Sequence, residues 1–466
     1  MNTSLRNARS LLRHRTPLPS YRGYPHSPHK PNRHSPLGIA GRRYSSKSEQ
    51  FTSSLPKPRP DYRGISENAV YKSHNAFNRR ANLPTGAIQS IERLYGQWKD
   101  VSAALNAKRH AQSLVGARVR EAAKDPSARN AVLAEAKTLK TDVSRLEDEL
   151  HRIDEQLFNL AVAVPNDTHP ATPLGPETNA TTLSTHGPAP FPASPSRDHV
   201  SIAHTLDLLD LESAAIVTGS SWYYLKNEAA LLEMALTNYA LAVAIKHGFT
   251  PVTTPDVVRT DITSRCGFQP RDPAPRKVVG LGRAFRAEAG AGGADTRGLY
   301  RVHQFTKLEM FIVSTPEQSE EMMDTMKQIQ IEIFESLRFP FRVLDMPTEE
   351  LGASAYRKYD MEAWMPGRGG WGEISSTSNC TDYQARRLHI RYRPAASEAE
   401  TPNHSGAIRF VHTLNGTAAA IPRLIIALLE NGVRFDEAGE VVGLDLPNVL
   451  KPFWLGDSSR DVVCWK

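Results

Sequence analysis

The sequence predicts an α+β chain: a long helical hairpin followed by a body in which helices alternate with strand-like runs. Three observations predict it. Apolar residues recur at heptad spacing over two stretches joined by a short polar turn. A proline-rich segment follows them. Beyond about residue 199, helical periodicities and β-prone runs take turns, with no internal repeat or low-complexity tract.

The chain has 466 residues, length for two or three ordinary domains. Hydrophobic residues at 40% and charged residues at 23% exclude wholesale disorder. Three widely spaced cysteines (Cys266, Cys380, Cys464) exclude a disulfide scaffold and a zinc knuckle. No apolar run looks long enough for the roughly 20 residues of a membrane span, which predicts a soluble protein with no membrane partner.

Charge is unevenly distributed. Lys and Arg number 57 against 50 acids, but residues 1–48 hold ten of the basic residues and no acid. The remainder is slightly acidic, so the basic balance says nothing about nucleic acid binding by the folded body. Arg6, Arg9, Arg13 and Arg15 interleave with Leu5, Leu11 and Leu12, and prolines break residues 16–36. This Arg- and Ser-rich, acid-free composition is that of a mitochondrial transit peptide, drawn by an inside-negative potential. Residues 1–48 are therefore expected to be removed, near Arg42-Arg43-Tyr44-Ser45-Ser46, and the matrix is the expected location.

Residues 49–85 read as polar and turn-rich. The helical arm spans 60–164. Ile91, Leu94, Trp98, Val101, Leu105, Val115 and Val119 form one seam. After Lys124-Asp125-Pro126-Ser127, Val132, Ala136, Leu139, Val143, Leu146, Leu150, Ile153, Leu157 and Leu160 form another, stepping by 4 and 3. The short turn predicts an antiparallel hairpin with a second helix of roughly 43 Å. An ordinary amphipathic pair or a dimerising coiled coil would share the pattern. Residues 108–129 carry six basic and two acidic side chains, so the tip is positive and suits a phosphate backbone. Residues 165–198 hold eight prolines and read as a linker without regular structure; the body is 199–466.

In the body, a helix over 228–247 stops at Gly248-Phe249, and a β-prone run ends at Pro255. FRAEAGAGGADTRGLYRVHQFTKLEMF then reads as a hairpin with a Gly-rich loop. Alternation puts Arg286 and Glu288 on one strand face and Arg301, His303, Phe305, Lys307 and Glu309 on the facing strand. Such a face is costly inside a sheet unless it binds something; arginines fork onto phosphates and an aromatic stacks on a base. A solvated, salt-bridged hairpin is the minor alternative. Glu373-Ile374-Ser375-Ser376 offers a carboxylate and hydroxyls that suit Mg²⁺ beside nucleotide phosphates. Cys380 has no paired histidine in view and reads as a packed thiol. Asn415-Gly416-Thr417 precedes an apolar helix in which Arg423 needs an anion, a phosphate or a buried carboxylate, and Pro422 starts or kinks that helix.

Together these residues resemble seryl-tRNA synthetases, class II aminoacyl-tRNA synthetases, and most of all their fungal mitochondrial branch. The likeness runs from about residue 60 to the end. It includes VPNDTHPATPLG, TGSSWYYLKNEAALLEMAL, GFTPVTTPDVV (motif 1), FRAEAG with RVHQFTKLE (motif 2), EISSTSNCTDYQARR and NGTAAAIPRLIIALLENG (motif 3). The resemblance implies an antiparallel sheet flanked by helices, an arm that grips tRNA(Ser), and a homodimer with Pro255 at its interface. It implies ATP-dependent activation of L-serine to seryl-adenylate and transfer to the tRNA 3′ end in mitochondrial translation.

The resemblance also implies roles. Arg286 would hold the ATP α-phosphate, and Glu288 would read the adenine amino group. Phe305 would stack on adenine, with Val302, His303 and Gln304 beside it. Glu309 and Thr417 would contact serine. Glu373 and Ser376 would hold Mg²⁺, with Ile374 and Ser375 in the ATP site between them, and Arg423 would bind the γ-phosphate. Arg286 and Arg423 would be the catalytic pair.

One departure stands out. Pro255 and Arg286 are 31 positions apart, several tens fewer than the family pattern, as if residues were deleted near 270–276. The family's Thr-x-Glu serine-reading loop belongs there. Thr315-Pro316-Glu317 and Thr348-Glu349-Glu350 lie after motif 2 and cannot replace it; the first reads as a helix start capped by Thr315 with Gln318. The loss predicts missing interior strands and unpaired backbone groups. Two readings follow: a serine–tRNA ligase whose sequence was shortened by splicing or gene prediction, or an RNA-binding paralogue that lost serine activation.

Overall fold

The computed structural model describes residues 56–121, 126–259, 262, 276–288, 297–393, 408–456 and 460–466. The targeting reading of 1–48 and most of the deletion near 270–276 lie outside the described residues.

The segment expected to be turn-rich forms two helices, α1 (Tyr62–Glu67) and α2 (Ala69–Asn78). Asp61 starts α1 by accepting the Gly64 N–H at 3.1 Å, a cap that the proline-rich flank hid. The hairpin is α3 (Ala87–Glu121) and α4 (Pro126–Val162). At 1.5 Å per residue they measure about 52 and about 55 Å, longer than the seam alone predicts. Ile91 and Leu157 are fully buried, and Leu94, Leu105, Val115, Val132, Val143 and Leu146 continue the seam. Lys108–Asp142, Arg109–Glu147 and Arg118–Glu135 pair at 2.7–2.9 Å; as one number rises its partner falls, the signature of antiparallel helices. These exposed pairs are worth at most about 1 kcal/mol each, so the apolar seam holds the arm. Leu157→Ala is expected to destabilise the arm by about 2–5 kcal/mol, read as a lower-temperature helix-melting step by circular dichroism.

The linker is not featureless. Its proline-free stretch forms β1 (Thr181–His186), which joins the edge of the main sheet against β7 (Phe341–Asp345). β-branched Thr181, Thr182 and Thr185 favour that strand. α5 (His199–Thr205) and the short β2 (Leu209–Asp210) lead to α6 (Leu211–Thr218) and β3 (Tyr224–Leu225). α7 (Asn227–Lys246) follows. By length and composition α7 is apolar enough to cross a membrane, contrary to the sequence reading. It carries Glu228 and Glu233, and it buries Leu232, Leu236 and Tyr239 in the main core.

The sheet has eight strands in the order β1, β7, β8, β9, β12, β6, β5, β4. Here β4 is Thr250–Thr253, β5 Arg276–Phe285 and β6 Gln304–Ser314; β8 is Arg357–Met365, β9 Gly370–Asn379 and β12 His412–Ala420. Neighbours are antiparallel except β4 and β5, which run parallel. No interior gap follows from the short connection: β4 pairs directly with β5, Thr250 opposite Val278 through Thr253 opposite Leu281.

α8 (Ser319–Ser336) starts after a 3₁₀ turn. Thr315 and Gln318 touch through their side chains at 3.4 Å, but Thr315 makes no side-chain bond to the backbone, so the expected cap does not form. α9 (Tyr383–Leu388) and the β10–β11 pair (Arg391–Tyr392, Arg409–Phe410) cover the strand ends. α10 (Ile421–Gly432) begins with Pro422 in its first turn and is not kinked by it. β13 (Val433–Phe435), β14 (Val441–Leu446) and β15 (Val463–Trp465) form a small closing sheet. Gly416 lets β12 approach α8, since a Cβ there would lie 2.4 Å from the Met326 sulfur.

Candidate active site

Most residues singled out in the sequence meet in one cleft on the sheet. Arg286, Glu288, Val302, Phe305, Glu373, Ile374, Ser375, Ser376, Thr417 and Arg423 all line it. β5, β6, β9, β12 and the start of α10 bring them there.

The hairpin differs from its sequence reading at its open end. β5 stops at Phe285 and β6 starts at Gln304, so Arg286, Glu288, Arg301 and His303 lie just beyond the strands. The pairing still runs one step further, because the Arg286 N–H donates to the His303 carbonyl at 2.9 Å. The Arg286 guanidinium sits 5.3 Å from the centre of the Phe305 ring, a cation–π arrangement that orients it. Glu288 holds a positive φ of 47° and pairs with Arg301 at 3.4 Å. His303 and Gln304 do not line the cleft. The His303 ring packs 5.8 Å from Trp222 and donates from Nδ1 to the Arg286 carbonyl. Gln304 faces a separate cavity of about 820 Å³ with Arg283, Glu233 and Thr306. His303 precedes the strand, where no alternation fixes its direction, so spacing misplaced it; Gln304 was expected beside adenine only through the resemblance, and as the strand neighbour of Phe305 it points to the opposite face.

Glu309 stands at the far side. Its carboxylate accepts from the Thr417 hydroxyl at 2.9 Å and from the Asn415 amide at 3.1 Å, and it pairs with Lys307 at 2.7 Å. Cross-strand register explains the meeting, since Thr417 lies opposite Glu309. An extra residue at Ala418 then shifts the ladder.

A second bulge shapes the carboxylate end. Glu362 pairs with Glu373 and Met361 with Ser375, which leaves Ile374 as the extra residue. Three positions apart on a regular strand, Glu373 and Ser376 would face opposite ways; the added residue returns both to the cleft. Ser375 turns inward, donating to the Thr417 carbonyl at 2.6 Å. A carboxylate and a hydroxyl on one face are hard oxygen donors, a set that fits Mg²⁺. Arg423 donates to the Glu373 carbonyl at 2.7 Å and pairs with its carboxylate at 3.3 Å. Both charges open onto the cleft, so phosphate and cation can each find an opposite charge there.

One buried cluster escaped the sequence reading. Glu430 and His199 are fully buried. Glu430 Oε1 accepts from the His199 backbone N–H at 3.3 Å, from His199 Nδ1 at 3.0 Å and from the Tyr300 hydroxyl at 3.4 Å. Its other oxygen accepts from the Gly367 N–H at 2.8 Å. Leu299 N–H donates to His199 Nε2 at 3.2 Å, so the ring proton sits on Nδ1. Asp198, His199 and Glu430 come close enough to hold a metal. The Leu299 bond occupies the lone pair a cation would need, and the group is a hydrogen-bonded anchor. Burial, reinforced by Glu430, raises the Tyr300 hydroxyl well above the ordinary tyrosine range. The anchor ties α10, which carries Arg423, to the hairpin leg that carries Leu299, Tyr300 and Val302 of the cleft. An acid seven residues after Arg423, on the same helix face, was the available signal. Glu430→Gln would set an amide nitrogen against the Gly367 N–H. It is expected to cost about 1–3 kcal/mol in thermal unfolding and to weaken nucleotide binding measured by calorimetry.

Two family models match the chain. The seryl-tRNA synthetase N-terminal domain matches residues 64–168, and the tRNA synthetase class II core domain (G, H, P, S and T) matches residues 254–432. A serine–tRNA ligase from Rubrobacter xylanophilus is 42% identical over 366 residues, covering 71% of this chain and 83% of the relative. A mitochondrial serine–tRNA ligase from Schizosaccharomyces pombe is 38% identical over 437 residues, covering 84% of this chain and 88% of the relative. That alignment is longer than the chain residues it takes in, so several tens of its positions have no counterpart here. The crystal structure of seryl-tRNA synthetase from Pyrococcus horikoshii complexed with ATP superposes with a TM-score of 0.72 at 30% identity, covering 84% of this chain and 96% of the other.

Proposed function

Because the chain belongs to the seryl-tRNA synthetase family of class II aminoacyl-tRNA synthetases, we propose that its cleft activates serine with ATP and that its arm presents tRNA(Ser) for acylation. The protein is an ATP-dependent serine–tRNA ligase. The observation that carries the site assignment is the convergence of Arg286, Phe305, Glu373, Ser376, Thr417 and Arg423 on one cleft, with Glu309 bonded to Thr417 at its edge.

The serine carboxylate attacks the ATP α-phosphorus in line, forming the acyl phosphate bond and releasing pyrophosphate. A ribose hydroxyl of the tRNA 3′ end then attacks the acyl carbon, and AMP leaves. No protein nucleophile is required; positioning and charge neutralisation supply the rate. Arg286 neutralises charge at the α-phosphate and Arg423 at the γ-phosphate. Phe305 offers a stacking face for adenine, and Glu288 accepts from its amino group. Glu309 binds the serine ammonium, with Thr417 beside it. Glu373 and Ser376 would hold Mg²⁺, which when bound would supply charge neutralisation for the polyphosphate.

The mitochondrial matrix is the proposed location. Its support is the acid-free basic segment 1–48 together with the mitochondrial relative from Schizosaccharomyces pombe. A homodimer is proposed through the β4 edge. Every residue of β4 is exposed, and Ile216, Val217, Met234, Val257 and Val258 expose apolar surface on the neighbouring segments. The RNA-binding paralogue without activation draws no support from the relatives, which are ligases.

The test is charging of mitochondrial tRNA(Ser) with labelled serine by a chain beginning at residue 49. Serylation dependent on ATP is expected. Tight tRNA binding without any charging would overturn the ligase reading.

A further inference from the structure

We infer that Asn166, clasped by Asn75 and Arg79, is a positioning residue that fixes the angle of the helical arm to the catalytic sheet and so sets where bound tRNA presents its 3′ end. This rests on the ligase reading above.

Asn166 sits where α4 has just ended and the chain enters the body. Its side-chain nitrogen lies 2.9 Å from each of the Ser354 carbonyl, the Cys380 carbonyl and the Thr381 hydroxyl. Its backbone N–H donates to the Ala353 carbonyl at 2.8 Å. Its own carbonyl accepts from the Asn75 amide at 2.9 Å and from Arg79 Nη1 at 2.7 Å. One residue thus bonds to α2 on the arm side and to two turns of the body.

Arg79 completes the clasp. It is 5% exposed, and burial lowers its pKa to about 10. Besides Asn166 it donates to the Asp167 carbonyl at 3.1 Å and to the Gly352 carbonyl at 2.5 Å. Both Nη nitrogens are satisfied in fixed directions while the buried Nε finds no partner among the described residues, and the planar fork makes the joint stiff.

The body side of the joint leads straight to the cleft. Residues 380 and 381 follow the end of β9, the strand that also bears Glu373 and Ser376. Cys380 N–H donates to the Thr413 carbonyl and Thr413 N–H to the Thr381 carbonyl, at 2.8 and 2.9 Å. Thr413 lies on β12, two and four residues before Asn415 and Thr417. Leverage makes the joint matter. On an arm of about 52 Å, a swing of about 10° at the base moves the tip by roughly 9 Å, more than the reach of any single side chain. A displacement of 1 Å at a reacting centre already costs heavily.

The variants are Asn166→Ala and Thr381→Val; the second removes one hydroxyl bond to Asn166 at nearly constant volume. Two readouts separate positioning from folding. Spin labels carried by unnatural residues at Leu133 on α4 and Glu437 in the body report the arm-to-body distance distribution, with no dependence on activity. Kinetics report KM for tRNA against tRNA-independent, serine-dependent ATP–pyrophosphate exchange. The expected result is a broadened distance distribution in both variants, with KM for tRNA raised roughly tenfold and exchange within about twofold of the parent. An unchanged distribution overturns the inference, as does a parallel fall of exchange and charging. A parent chain without exchange would count against the ligase reading alone, because the distance measurement still decides the joint.

Discussion

Arg286→Ala is expected to lower serine-dependent ATP–pyrophosphate exchange by about 10²–10³-fold, or about 3–4 kcal/mol of transition-state stabilisation. The physical reason is the place of the guanidinium. It lines the cleft, oriented by its ring contact with Phe305 and by the backbone bond from Arg286 to His303. Charge on the α-phosphate grows during in-line attack, so the loss should fall mainly on kcat, with a smaller rise in KM for ATP. The thermal midpoint should hardly move, because the side chain opens onto the cleft and is not part of the core. A large loss of stability with unchanged exchange per folded molecule would show that Arg286 is structural.

Glu309→Gln is the second large effect. The carboxylate is held by Asn415, Thr417 and Lys307. Its proposed ligand is the serine ammonium, and a hydrogen-bonded charge pair in a partly buried site is worth about 1.5–3 kcal/mol. The glutamine keeps the shape and loses the charge. KM for serine should rise by roughly 10–10²-fold, while KM for ATP stays within about twofold. Steady-state exchange with each substrate varied in turn checks this. A rise confined to ATP would move Glu309 from the amino-acid side to the nucleotide side of the cleft.

These two residues also show how far spacing alone reached. Alternation along β6 put Phe305, Lys307 and Glu309 on one face, and the strand delivers all three to the site region. A sheet strand has a period of two, so its faces can be counted from the page. His303 precedes the strand, where that period has not begun, and it turns toward Trp222; Gln304, expected in the cleft only through the resemblance, sits next to Phe305 on the strand and faces the other way, as the period requires. Glu373 and Ser376 could not be counted onto one face, because the bulge at Ile374 is written in cross-strand register and not in the composition of β9.

The arm was legible for the same reason. A heptad seam over two stretches names both helices and their partner faces, and Ile91, Val143 and Leu157 are buried as it requires. β1 was not legible, because prolines on both sides of Thr181–His186 masked a strand completed only by β7 far along the chain. The buried anchor of His199, Tyr300 and Glu430 joins residues up to 231 positions apart. Each alone is an ordinary residue, and only their packing gives them a role. The short connection before β5 was the strongest warning in the sequence, yet the sheet closes around it by pairing β4 with β5.

With its short connection between β4 and β5, this chain is expected still to activate serine. Serine-dependent ATP–pyrophosphate exchange by the purified chain, compared with alanine, threonine and glycine, is the decisive measurement. Exchange with serine is expected, lowered about 10²–10³-fold by Arg286→Ala, with far weaker exchange for the other three. Absence of exchange with every amino acid, in a folded chain that binds ATP, would contradict it.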